Sequence, residues 1–309
     1  MTQSQDKVAI LLCTCNGDRF LAEQLESLSS LQWPVIDIWA SDDQSSDNTP
    51  ALLESAARNW RKGRFELKTG PAKGFAANFL SLATDPGIEA SYYAYCDQDD
   101  LWKPRKLDNA IAWLSTQPDN MPALYCSRTE LVDEQGQHIS YSPVFKKRTC
   151  FRNAIIQNIA GGNTMVMNKA ARALLVKAGR QNIISHDWWT YMLVTGAGGE
   201  VFYDIGPQIA YRQHETNQMG HNNDTKARWK RVRMLLKGTF RSWNEVNILA
   251  LTEAQALLIP DSRLVLEQFR KLRNQRGFTS VYNLSRSGIF RQTRLGNIAL
   301  WVAAAFGKL

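Results

Sequence analysis

Apolar and polar residues fall into blocks along the first hundred positions, and the blocks define the elements. Val8–Cys13 (VAILLC) is a continuous apolar run ending in the polar turn Thr14-Cys15-Asn16-Gly17-Asp18, the pattern of a buried parallel strand followed by a loop. Phe20, Leu21, Leu25, Leu28 and Leu31 then recur at helical spacing until Trp33-Pro34 stops the helix. Val35–Ala40 reads as a second strand. Ser41–Asp47 is a polar loop, and Asp47 can cap a helix from about Thr49 to Trp60. Phe65–Lys68 is a third, shorter strand, Gly70–Gly74 a turn, Phe75–Ala83 a helix, and Tyr92–Cys96 a fourth strand ending at Asp97.

This β-α-β-α-β-α-β order calls for an α/β fold with a mostly parallel sheet, right-handed crossovers and flanking helices. Ligand sites of such sheets lie beyond the carboxyl ends of the strands. Polar clusters stand at three of the four ends, Thr14–Asp18, Ser41–Asp47 and Asp97–Asp100, and the Gly/Pro turn Gly70–Gly74 at the other. Further on, the pattern predicts a helix over Arg105–Ser115 and short strands at Ala123–Ser127 and Glu130–Asp133. A loop at Gly161–Asn163 enters another strand. Helices follow over Lys169–Ala178 and from His186 to about Val194, with strands at Val201–Ile205 and Ile209–Arg212. From Lys226 the texture changes to long, arginine-rich helical patterns.

Charge separates the same two regions. Residues 1–220 hold 21 Lys and Arg against 24 Asp and Glu, whereas residues 221–309 hold 16 against 5. The whole-chain excess of +8 therefore resides in the last 89 residues, a basic helical C-terminal region suited to an anionic surface. The division expected is 1–220 and 221–309. Lys226–Lys237 alternates basic and apolar residues at spacings of an amphipathic helix, and Phe290–Phe306 adds two arginines and then an apolar end, Ile298–Phe306, as a helix on an anionic leaflet would. Packing of those apolar faces on the first region is the alternative, and no nucleic-acid-binding motif accompanies the charge. The five cysteines lie in or near apolar runs and read as reduced core residues. The opening MTQSQDK lacks a secretory pattern, and the longest uncharged tail stretch, Leu295–Gly307, is too short to span a bilayer.

Asp97-Gln98-Asp99-Asp100 is where chemistry concentrates. Two carboxylates one residue apart can share a hard divalent cation and the diphosphate that it neutralises. An isolated Asp-x-Asp is usually a solvated turn; its place at a sheet's carboxyl edge favours a site. Asp42-Asp43, at the end of the second strand, suits hydrogen bonds from a ribose hydroxyl or a base N–H.

VAILLCTCNG, IDIWASDDQSSDNT, GPAKGFAANF and YAYCDQDDLWKPRKL, in this order, closely resemble family 2 glycosyltransferases of the GT-A fold. CDQDDLW, GGNTMVMN, HDWW and YRQHETNQMG resemble the family's rhamnosyltransferase branch, over about residues 7–220. The resemblance implies a nucleotide-binding half, an acceptor half, a Mg²⁺ or Mn²⁺ cofactor and direct attack of an acceptor hydroxyl with inversion. It implies that Thr14, Asn16, Asp42, Asp43 and Asp97 face the nucleotide, that Asp99 and His214 face the metal, and that Asp187 is the general base. Helix capping is the alternative for Asp187, and a surface loop for His214. Gly162 and Asn163 could admit the acceptor, and Trp188 and Trp189 could stack on sugar, although turns and cores explain such residues equally.

The function expected is transfer of L-rhamnose from dTDP-β-L-rhamnose to a saccharide acceptor, such as lipopolysaccharide core or another lipid-linked glycan. The protein would then work in the cytoplasm, peripheral on the cytoplasmic face of the inner membrane. A UDP-hexose donor, a nucleotidyltransferase making sugar nucleotides and a metal-dependent lectin are the alternatives. The first two share the acidic edge, but Thr14–Phe20 lacks the glycine density of a nucleotidyltransferase phosphate loop.

Overall fold

The computed structural model describes residues 6–214 and 238–309. It opens with strands β1 (Val8–Thr14), β2 (Ile36–Asp42), β3 (Phe65–Thr69) and β4 (Tyr92–Cys96), separated by helices α1 (Asp18–Ser29), α2 (Thr49–Asn59) and α3 (Phe75–Ala83). β1 pairs in parallel with β2, Thr14 opposite Asp42, and with β4, Leu12 opposite Cys96. Three carboxyl ends distant in sequence thus lie side by side.

The chain continues through β5 (Leu101–Trp102), α4 (Lys106–Leu114), β6 (Ala123–Ser127), β7 (Glu130–Val132), β8 (His138–Tyr141) and α5 (Phe151–Ala154). Then come β9 (Val166–Asn168), α6 (Lys169–Ala178), α7 (His186–Gly196), β10 (Glu200–Asp204) and β11 (Ile209–Arg212). Seven strands form one sheet in the order β10-β6-β9-β4-β1-β2-β3, in which β9 runs antiparallel to both neighbours. β9 is held by Asn168: its amide oxygen accepts the Ala123 and Ala171 N–H groups and its NH₂ donates to the Met121 carbonyl. A second sheet, β5-β11-β7-β8, forms beside it. The two-residue β5 and the mostly exposed β8 have no apolar period and were not foreseeable from the pattern.

Side-chain alternation on β1 divides the interior into two cores. Val8, Ile10 and Leu12 pack with Leu21, Leu25 and Leu28 of α1 and Leu107 and Ile111 of α4. Ala9, Leu11 and Cys13 pack on the other face with Phe79 and Leu80 of α3 and with the wholly buried α7. A strand buried on both faces must be apolar throughout, which is why β1 reads as an unbroken run.

The C-terminal region consists of α8 (Thr239–Glu253), α9 (Pro260–Arg273), α10 (Gly277–Ser287) and α11 (Arg294–Ala305). Its apolar residues Leu251, Val265, Phe269, Leu272, Leu284 and Leu300 belong to the same core cluster as α3 and α7. Arg152 of α5 grips Asp261 through two bonds of 2.7 and 2.8 Å, and the Ile259 N–H reaches the Gly196 carbonyl at 3.0 Å. These helices are a layer of the molecule rather than a tethered appendage; the expected basic helix Lys226–Lys237 lies outside the described residues. Among the described residues no helix is long and apolar enough to cross a membrane. None of the five cysteines is disulfide-bonded.

Because Phe269 is fully buried where the two regions meet, Phe269→Ala should destabilise the protein by about 3–5 kcal/mol. Denaturant unfolding should remain one transition shifted as a whole. A separate early transition for the C-terminal helices would contradict the shared core.

Candidate functional site

Gln98 organises the edge. Its Oε1 accepts the Cys15 N–H at 2.8 Å and its Nε2 donates to the Cys15 carbonyl at 3.1 Å, so the turn after β4 is clamped to the loop after β1. The approach requires a glycine next door: a Cβ on Gly17 would lie 2.4 Å from Gln98 Oε1. Nothing in the periodicity singled out this role; only the position of Gln98 between two acidic residues drew notice.

The loops after β1 and β2 are stitched together by the residues expected to read the nucleotide. Asp42 Oδ1 accepts the Thr14 and Ser45 hydroxyls at 2.8 and 2.6 Å, and its Oδ2 accepts the Ser45 N–H at 2.9 Å. Asp43 Oδ1 and Oδ2 accept the Ala72 and Gly74 N–H groups, drawing in the turn after β3. Asn16, at φ 49°, accepts the Ser46 N–H with its side-chain oxygen. Asp47 accepts N–H groups of Thr49 and Asp18 at the starts of α2 and α1. The structure therefore brings Thr14, Asn16, Asp42 and Asp43 together as a rigid rim.

The acidic turn sorts its carboxyl groups. Asp100 is fully buried: it accepts the Asn163 amide, which is in very close contact, and the Arg212 N–H at 3.3 Å. Burial, then Asp99 and Asp97, push its carboxyl well above the usual range. Lys106, buried with its ammonium over the Trp102 ring, donates to the Asn163 carbonyl, and burial holds its pKa down to about 7. Asn163 thus faces inward. Arg212, also buried, donates through Nε to the Asp99 carbonyl at 3.1 Å and through a terminal nitrogen to Glu23 at 2.7 Å. Lys106 and Arg212 are the residues sequence reasoning missed; each stands beside polar residues in the sequence, so no local signal marks its burial.

Asp97 and Asp99 remain nearer the surface. Burial first, then the Asp99 and Asp187 charges, push the Asp97 carboxyl up to about 8, with Lys106 opposing. Asp99 Oδ2 lies 2.9 Å from His214 Nε2, and the His214 ring sits 5.1 Å from that of Phe20. Carboxylate oxygen and imidazole nitrogen fit a divalent cation such as Mn²⁺. Among the described residues no group of three or more His, Cys, Asp or Glu is placed to hold a metal ion.

Asp187 reaches the edge from the opposite core. It lies in the first turn of α7, which is fixed to β4 by Tyr95 and Thr190 hydroxyls 3.0 Å apart, and its Oδ1 accepts the Trp188 N–H at 2.7 Å. Trp189 is fully buried, and Trp188 is buried with its indole N–H donated to the Ala154 carbonyl. Neither presents a face on which a sugar could stack; they pack the core beneath the site. Next to them, His186 stacks on Phe79 at 3.7 Å with both ring nitrogens unpartnered. A Cβ on Gly162 would lie 2.1 Å from His186 Nε2, so Gly162 is there for close packing.

Residues 9–175 match the model of glycosyl transferase family 2. The dTDP-rhamnosyl transferase RfbG of Shigella flexneri is 30% identical over 241 residues, covering 74% of this chain and 81% of that protein. Among solved structures, S. aureus TarS 1-349 in complex with UDP-GlcNAc aligns with a TM-score of 0.54 and 14% identity, covering 98% of this chain and 89% of that one. The mannosyltransferase PcManGT from Pyrobaculum calidifontis, in complex with GDP-Man and Mn²⁺, aligns with a TM-score of 0.51 and 17% identity, covering 98% and 87%. These two likenesses show the GT-A fold.

His186 makes one separable contribution to the pH dependence of this region, beside those of Asp97 and Lys106. Burial holds its imidazole down to about 4, against 6.5 for the free side chain, so its contribution is complete above pH 6.5 and is lost as pH falls toward 4. That loss amounts to at most about 3 kcal/mol. Urea unfolding at pH 7.5 and 5 should therefore show a steeper acid loss for the parent than for His186→Phe. Equal slopes would contradict the buried neutral ring.

Proposed function

Because the chain belongs to glycosyl transferase family 2, we propose that it transfers L-rhamnose from dTDP-β-L-rhamnose to a saccharide acceptor, with inversion at the anomeric carbon. The carrying observation is geometric: Asp97 and Asp99 follow β4, Asp99 lies 2.9 Å from His214, and Asp187 opens the helix that the Tyr95–Thr190 contact fixes to the same strand. The rhamnosyl donor is favoured by the likeness to dTDP-rhamnosyl transferase RfbG.

In this reading the rim residues hold the nucleotide. A carboxylate offers about four acceptor sites. Asp42 uses three and Asp43 two in tying the loops, so a base N–H or ribose hydroxyl can be accepted without dismantling the rim. Asp97 faces the nucleotide side. Asp99 and His214 would hold a divalent cation, Mg²⁺ or Mn²⁺, which when bound neutralises charge on the departing diphosphate. Asp187 takes the proton of the acceptor hydroxyl; its second oxygen has no bond from Trp188 and can turn toward that hydroxyl. Gly162 keeps the floor beside Asp187 low by letting His186 pack flush. The acceptor is a lipid-linked glycan such as lipopolysaccharide core, met at the cytoplasmic face of the inner membrane.

Two isosteric variants separate the roles. Asp187→Asn keeps an oxygen for the Trp188 N–H; it should lower transfer ~10²–10⁴-fold and leave dTDP affinity unchanged. Asp99→Asn should instead weaken dTDP binding in Mn²⁺, read by calorimetry. Parental turnover in the first variant, or parental affinity in the second, would overturn the assignment.

A further inference from the structure

α11 carries Arg294 and Asn297 in its first turns and is otherwise apolar on both its inward and its outward side. Leu300, Ala303 and Ala304 face inward and are buried. The opposite side carries Leu295, Ile298, Trp301, Val302 and Phe306, at helical spacings of three and four residues, and all five are exposed: Leu295 by 73% and Phe306 by 70%. α10 packs against α11 and adds Phe278, 83% exposed, and Tyr282, whose rings stack at 6.3 Å. A run of exposed apolar side chains this long marks a contact surface, and among the described residues nothing covers it.

The charge around the face indicates what covers it. Residues 274–309 contain no Asp or Glu and five basic residues, Arg276, Arg286, Arg291, Arg294 and Lys308. Arg286 donates to the Tyr282 hydroxyl at 3.3 Å, placing a guanidinium beside the aromatic pair. Exposed apolar and aromatic side chains on a segment whose only charges are basic, with Arg286 beside the aromatic pair, match the boundary between acyl chains and anionic headgroups. A second copy of this chain would set the same cations against each other across a two-fold axis.

We propose that the outward face of α11, with Phe278 and Tyr282 of α10, is the surface by which the protein docks on an anionic lipid leaflet, with Leu295, Trp301 and Phe306 inserted between headgroups. The proposal rests on the membrane-borne acceptor suggested above for its purpose, but not for its test. Since α10 and α11 join the core that carries α7, docking here would hold the acceptor half at a fixed distance from lipid.

The test is sedimentation of the full chain with vesicles of phosphatidylcholine containing phosphatidylglycerol, and with pure phosphatidylcholine, in the absence of donor and acceptor. The parent should bind the anionic vesicles and release at high salt. Trp301→Ser with Phe306→Ser should lower partitioning by roughly ten-fold or more, at an unchanged thermal midpoint. Ile205→Ser, on an exposed apolar residue of the other half, should bind as the parent does. Should the double variant fold poorly, Arg286→Glu with Arg294→Glu must give the same loss on anionic vesicles. Failure of the parent to bind, or parental binding by the double variant, overturns the proposal. So does a parental dimer that the double variant converts to monomer without any vesicle binding. Transfer to a delipidated acceptor is assayed in parallel, and its loss in the parent would count against the transferase reading alone.

Discussion

Like charges crowd the carboxyl end of β4, and the surrounding architecture answers that crowding. Asp97, Asp99 and Asp100 follow one buried strand, and Asp187 approaches from the helix packed behind it. Unscreened carboxylates this close repel strongly in a low-dielectric surround. Asp100 is withdrawn into the protein with Asn163, the Arg212 backbone and Lys106 nearby, while Asp97 is driven toward protonation. What remains unresolved within the protein is negative charge on the open side. A cation brought by Asp99 and His214, together with a ligand, is the natural completion.

Such a site needs a rigid frame, because a small displacement of one carboxylate alters every pairwise term. Rigidity comes from short-range stitching between elements remote in sequence. Gln98 binds the loop after β1, Asp42 and Asp43 bind the loops after β1 and β3, and Arg212 binds the turn to α1. The core cluster then extends from α7 into the C-terminal helices, so the helix of Asp187, the sheet and the basic layer share one packed interior. That continuity links the proposed lipid-facing surface to catalysis.

Most of the parallel sheet was legible because β1 and β4 are buried on both faces and are continuously apolar or aromatic, and β2 departs from that only at Asp37 and at its carboxyl end. The helix over Lys169–Ala178 was legible from its bounds onward. Of the second sheet, β7 and β11 were legible as short strands, whereas β5 has two residues and β8 exposes most of its side chains, leaving no period to read. At the site, the acidic residues could be found because their strand ends converge. The supporting cast could not: whether Gln98, Lys106 or Arg212 turns inward depends on partners 83, 57 and 189 positions away. Trp188 and Trp189 show the reverse error, since aromatic residues beside a catalytic candidate look like a sugar platform yet fill the core. The C-terminal layer was legible as arginine-rich helices, but charge and helical spacing could not decide between a lipid surface and the first region's core for its apolar faces; its inner faces complete that core.

The account stands on the claim that crowded carboxylates make nucleotide binding conditional on a cation. Calorimetric titration of dTDP into the parent protein, with Mn²⁺ and then with excess chelator, addresses it directly. Binding that tightens by at least roughly ten-fold with Mn²⁺ is the predicted result, corresponding to about 1.4 kcal/mol. Equal affinity in chelator would contradict the claim, because an anion would then be entering an edge of like charge unaided.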